Sequence, residues 1–112
     1  MVKITALIRP HKLEEVKTAV ADLGVSGMNV GDVRGCGNSP EVSTAFGGAA
    51  SVVALPVKAR LCVVAPDHLV ERVIEEIVRH AGTGLPGDGK IFIERVEDVL
   101  RVRTGERGEP AL

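Results

Sequence analysis

The chain has 112 residues, enough for one domain with a sizeable core; it is 45% hydrophobic with two Phe, no Tyr and no Trp, so that core must be built from Val, Ile, Leu and Ala. A formal net charge of −1 argues against a general nucleic-acid binder, and no apolar run approaches the ~20 residues of a membrane helix. Two cysteines make no disulfide framework, and Met1-Val2-Lys3-Ile4 does not open a signal peptide, so a cytoplasmic protein without membrane insertion is expected.

Residues 2–9 alternate, with Val2, Ile4, Ala6 and Ile8 on one face and Lys3, Thr5, Leu7 and Arg9 on the other, which predicts a strand. Pro10 stops it and suits the first turn of a helix. Leu13, Val16, Val20 and Leu23 then form one stripe of an amphipathic helix over 11–23, closed by Gly24. Residues 28–34 read as a second strand. Residues 35–56 carry Gly35, Gly37, Gly47, Gly48, Pro40 and Pro56 and read as a loop of about twenty residues, a length that is usually functional or disordered. Residues 57–65 predict a third strand. Pro66-Asp67 opens a second helix whose buried stripe is read as Val70, Val73, Ile74, Ile77 and Val78, ended by Gly82 and Gly84. Residues 90–94 predict a fourth strand, and the alternating Leu100-Arg101-Val102-Arg103 a brief extra one.

The order βαββαβ is the ferredoxin-like α+β pattern, a mainly antiparallel four-stranded sheet with both helices on one face. Its other face also carries apolar residues. Leu7, Leu61 and Val63 are the candidates for meeting a partner subunit, so self-association is expected. His11, His68 and His80, at helix ends, are read as solvated.

The segment Thr83-Gly84-Leu85-Pro86-Gly87-Asp88-Gly89-Lys90 carries the chemistry. Its glycines let backbone N–H groups approach an anion, and Lys90 supplies a point charge for phosphate. It is not a Walker A loop, because a strand follows rather than a helix. Arg101 and Arg103, two apart on the predicted strand, would share a face and bring further cations to the same anion. A glycine-rich connection with solvated cations is the competing reading of these spacings. Asp88 is better suited to capping the turn than to acting as a general base.

The run from Thr83 to Ile93, with Val96 and Arg101-Val102-Arg103-Thr104-Gly105-Glu106 downstream, resembles the C-terminal signature of the PII signal-transduction family. Ile8-Arg9-Pro10 and Gly24-Val25-Ser26-Gly27-Met28 are similar as well. The resemblance covers nearly the whole chain and weakens between 36 and 57. It implies one PII-like domain over 1–112, assembled as a homotrimer with ATP or ADP, with or without Mg²⁺, in each cleft between subunits. Gly87, Gly89 and Lys90, with Asp88 in the same loop, would hold phosphates from one subunit, and Arg101 and Arg103 would reach in from its neighbour. Gly35, Gly37, Thr83 and the backbone around Val64 would line the rest. Residues 37–55 would be the T-loop that docks on a transporter or a metabolic enzyme, making the protein a regulator, not an enzyme.

Several positions depart from that pattern. Typical members carry a tyrosine at 51 that can be uridylylated; Ser51 stands here and the chain has no tyrosine. Typical members also use a glutamine at 39 to help hold Mg²⁺ and 2-oxoglutarate. Here Ser39 replaces it and Asn38 replaces the usual arginine, while Lys58 fits. Serine is shorter and offers no amide carbonyl, so 2-oxoglutarate sensing is expected to be altered or absent; another small anion such as bicarbonate is permitted but not indicated. The loop is nearly uncharged, and Phe46, Val52, Val53 and Leu55 are its candidate partner contacts. Cys36 and Cys62 flank the loop and could meet as a redox or metal pair, although half-buried thiols are the plainer reading. A weak nucleotide hydrolase and a metal- or redox-binding trimer of the same fold are the alternative functions.

Overall fold

The computed structural model describes residues 1–35 and 55–112. Four strands, β1 (Val2–Ile8), β2 (Met28–Arg34), β3 (Val57–Ala65) and β4 (Gly89–Arg95), form one antiparallel sheet in the order β2-β3-β1-β4. Two helices, α1 (Leu13–Ala21) and α2 (Val70–Ala81), complete the βαββαβ order. The α+β, ferredoxin-like reading is therefore the observed fold.

Each element follows from local chemistry. Val2, Ile4, Ala6 and Ile8 are all buried, as a period of two requires of a strand with one covered face. Pro10 opens a single 3₁₀ turn, Pro10–Lys12, before α1, and Pro66 precedes the equivalent turn Asp67–Leu69 before α2. Proline lacks an N–H and has a fixed φ, so it suits both positions. Val16 and Val20 of α1 and Val70, Val73, Ile77 and Ala81 of α2 join the buried face of β1 and β3 in one core.

Three expectations about this packing are corrected. Leu61 and Val63 do not face a partner: they pair with Ala6 and Ile4, share their side of the sheet, and are 0% and 1% exposed beneath the helices. Leu7 does lie on the open face, paired with Arg60 on one side and Lys90 on the other. Val78 is 57% exposed, because the buried stripe of α2 runs on from Ile77 to Ala81 and turns Val78 away from the sheet. His80 is three-quarters buried, not solvated. Its Nδ1 lies 3.5 Å from Glu15 of α1 and its Nε2 3.2 Å from Glu76 of α2.

The ends of the elements are tied together by Asp67. Its carboxylate accepts from the Met1 ammonium at 2.9 Å and from Arg95 at 2.8 Å, which joins the start of β1, the end of β4 and the turn before α2. The ammonium, followed by Arg95, holds the Asp67 carboxyl below the usual range. The C-terminal residues form no fifth strand. Leu100 and Arg107 make a single bridge, and Gly105, at φ +74°, closes a turn by donating its N–H to the Arg101 carbonyl.

Replacing Ile77 by alanine is expected to cost about 2–5 kcal/mol in chemical denaturation, because the site is sealed on every side. Val78→Ala should cost less than half as much; equal losses would mean that α2 is rotated from the orientation described.

Candidate functional site

The loop between α2 and β4 is built around one carboxylate. Asp88 Oδ2 accepts the backbone N–H groups of Thr83 at 2.8 Å and Gly84 at 2.9 Å, while Oδ1 accepts the Thr83 hydroxyl and the Arg9 guanidinium. The Thr83 hydroxyl bond, followed by the Thr83 and Gly84 N–H groups and the charge of Arg9, holds the Asp88 carboxyl below the usual range. Asp88 thus caps the turn.

Two neighbours fix the rest of the loop. Arg9, just past β1, donates to the Pro86 carbonyl at 2.8 Å, and Lys58 of β3 donates to the Gly87 carbonyl at 3.0 Å. Gly89, at φ +110°, sits where β4 begins opposite Ile8; a Cβ there would lie 1.7 Å from the Leu7 carbonyl oxygen. No side chain fits such a position.

These contacts form one wall of a cleft of about 680 Å³ between the loop and the open sheet face. Arg34, Lys58, Arg60 and Lys90 line it, and Asp88, already paired to Arg9, is the only described carboxylate that does. Leu7, Val33, Pro56 and Phe92 add apolar surface. A concave site whose described rim is cationic and whose floor is apolar suits an anionic ligand with a nonpolar body.

Of the residues read from the sequence, Gly35, Lys58, Gly87, Asp88, Gly89 and Lys90 meet in this cleft. Thr83 braces Asp88 from outside it. Val64 lies further along the open face, in a separate depression with Lys3, Asn29 and Cys62. Arg101 and Arg103 are elsewhere in the same chain. The expectation that they share a strand face fails, because Val102–Thr104 form a turn. The Arg101 guanidinium instead binds Glu106 and the main-chain oxygens of Pro110 and Leu112. Leu55 accepts a hydrogen bond from Arg34 at its carbonyl. Gly37, Ser39, Phe46, Val52, Val53 and Cys36 lie outside the described residues.

Three cations escaped the sequence reading. Arg60 was detectable, being two residues from Lys58 on one strand and therefore on its face. Arg34 and Arg9 had no local signal, since each is placed by chain distant in sequence. Among the described residues, no group of three or more His, Cys, Asp or Glu side chains could hold a metal ion, and no helix is long and apolar enough to cross a membrane.

The family profile described as Nitrogen regulatory protein P-II matches residues 1–106. The chain belongs to the nitrogen regulatory protein P-II family. It is similar over its full length, and over the full length of each relative, to the Nitrogen regulatory protein P-II of Haemophilus influenzae (45% identical), of Azospirillum brasilense (46%) and of Rhodospirillum rubrum (44%). As a member of the P-II family it is a signal-transduction regulator rather than an enzyme.

Two outcomes are expected of this P-II loop. Gly89→Ala should destabilise the protein by about 3 kcal/mol or more in denaturant titration, through the clash with Leu7 and the left-handed φ; a loss below 1 kcal/mol would contradict the close approach. Because the Asp88 carboxyl is held low, its contribution is complete above the ordinary carboxylate range and is lost as pH falls through its lowered value. The amide resonances of Thr83 and Gly84 should therefore hold their positions from pH 8 to about pH 4 and move only below it; movement centred above pH 5 would refute the capping role.

Proposed function

We propose that this P-II protein is a homotrimeric regulator that binds ATP or ADP in the cationic cleft and passes its occupancy to a target protein through residues 37–55. The observation that carries the reading is the conjunction of a glycine loop, preset by Asp88, with four cations that have one already-neutralised carboxylate among them. Phosphates satisfy backbone N–H groups and cations together. In this reading Gly35, Gly87, Asp88, Gly89 and Lys90 form the phosphate end, Gly37, Thr83 and the backbone at Val64 complete the surroundings, and Arg101 and Arg103 enter from a neighbouring subunit. Val102, between those arginines, is 94% exposed, and Phe92 and Leu100 are also exposed, which favours their burial in an assembly.

Mg²⁺ accompanying the nucleotide would find Asp88 as its one described carboxylate in the cleft, and that group is committed to Thr83, Gly84 and Arg9. The nucleotide phosphates would then be its principal ligands.

The target is a transporter or a metabolic enzyme in the cytoplasm, contacted through Phe46, Val52, Val53 and Leu55 of a single 1–112 domain. With Ser39 in place of the family's glutamine, Lys58 lacks the partner that would help it hold 2-oxoglutarate, so the effector response is altered or absent. Uridylylation of tyrosine is ruled out by composition, since the chain contains none.

Calorimetric titration with ATP and ADP tests this reading. Wild-type protein should bind both, and Lys90→Gln should weaken ATP about 10- to 100-fold, the worth of one charge-assisted hydrogen bond. Adding 2-oxoglutarate should leave the affinity unchanged. Absence of nucleotide binding would remove the central claim, and tightening by 2-oxoglutarate would remove only the one about Ser39.

A further inference from the structure

Arg9 lies directly after β1, where the pairing of Ile8 with Gly89 brings the start of β4 alongside it. Its guanidinium spans the second half of the glycine loop, with Nη1 on Asp88 Oδ1 at 3.1 Å and Nη2 on the Pro86 carbonyl at 2.8 Å. Between those two acceptors is Gly87, so close that a Cβ there would stand 3.1 Å from Nη2. The Arg9 side chain is 22% exposed and does not line the cleft. It therefore lies behind the loop, with Gly87, Asp88 and Gly89 between it and the space where a ligand would sit.

The two ends of the loop are anchored by different groups. The Asp88 carboxylate gathers Thr83 and Gly84, whereas the Pro86–Asp88 half is held by Arg9 and by Lys58 at the Gly87 carbonyl. Arg9 also has an electrostatic effect. Asp88 is an acid at the edge of a site meant for an anion, and the adjacent guanidinium cancels its charge. Without Arg9, the loop's capped first half would persist, the second half would loosen, and a bare carboxylate would face the ligand.

We propose that Arg9 is a positioning residue for the phosphate-bearing part of the ligand, acting from behind the loop by fixing Pro86–Asp88 and neutralising Asp88. The proposal rests on the nucleotide reading above. The two acceptors differ in kind and diverge from one planar fork, so lysine, a single point charge, can restore the charge but not both bonds.

The full-length wild-type protein, Arg9→Gln and Arg9→Lys are to be titrated with ATP and ADP by calorimetry and with adenosine by ligand-observed NMR. Arg9→Gln should weaken ATP and ADP about tenfold or more and leave adenosine unchanged, with Arg9→Lys between it and wild type. Unchanged ATP affinity, or an equal loss for adenosine, would overturn the proposal, the latter because a general loosening of the fold affects all ligands alike. A ligand-free measurement separates this from the nucleotide reading. Backbone ¹⁵N relaxation in Arg9→Gln should show greater motion at Gly87 and Asp88 and unchanged order at Thr83 and Gly84, whose N–H groups stay on Asp88. If wild type binds no nucleotide, the nucleotide reading falls and with it the assignment to phosphate; unchanged relaxation at Gly87 and Asp88 would overturn the anchoring itself.

Discussion

The pairing of Ile8 with Gly89 is the contact on which the candidate site depends. β1 is a central strand, bonded to β3 on one side and β4 on the other, and its alternation assigns every inward residue to the core. Where it ends, the backbone of Leu7 comes so near Gly89 that no Cβ is tolerated. That approach fixes the exit of the glycine loop against a central strand of the sheet. It also puts Arg9, the next residue after β1, behind the loop, and Lys90, the next after Gly89, on the open face beside Leu7. A mobile anion-binding loop would lose conformational entropy on binding. The glycine loop is already held in place, by the Asp88 cap, by Arg9 and by Lys58.

The electrostatics follow from the same geometry. Overall the chain is close to neutral, with 14 basic and 15 acidic side chains, so its cationic cleft is a matter of distribution and not of excess. The open face collects Lys58, Arg60 and Lys90 around the loop, while several acids pair elsewhere: Glu14 with Lys17, Asp67 with the N-terminus and Arg95, and Asp98 with Arg107. Separating the charges in this way gives a near-neutral regulator of the P-II family one cationic cleft.

The sequence patterns reported faces well and neighbours poorly. Alternation in β1 and the 3-4 spacing in α1 identified Val2, Ile4, Ala6, Ile8, Val16 and Val20 as core, because burial follows the period of the element. The same logic misassigned Leu61 and Val63, since period shows that two residues share a side but not which side the helices cover. Val78 was misread because a stripe of apolar residues is wider than the strip that touches the sheet. Alternation at Leu100–Arg103 suggested a strand, yet only Leu100 bridges, since Gly105 turns the chain back at once. His80 looked free at a helix end until α1 brought Glu15 beside it.

The sequence by itself determined the order of elements, the α+β class and, through Asp88 among glycines, the turn that the loop before β4 makes. These are local properties: hydrophobic period, proline and glycine backbone preferences, and side-chain-to-backbone bonds a few residues apart. Only the tertiary structure decided which cations surround the loop. Arg9 is 79 residues from Asp88 and Lys58 is 29 from Gly87, so neither contact leaves a trace in local spacing. The register of β1 against β3 and β4 brings them together, and that register is fixed by the burial of the opposite face of the sheet.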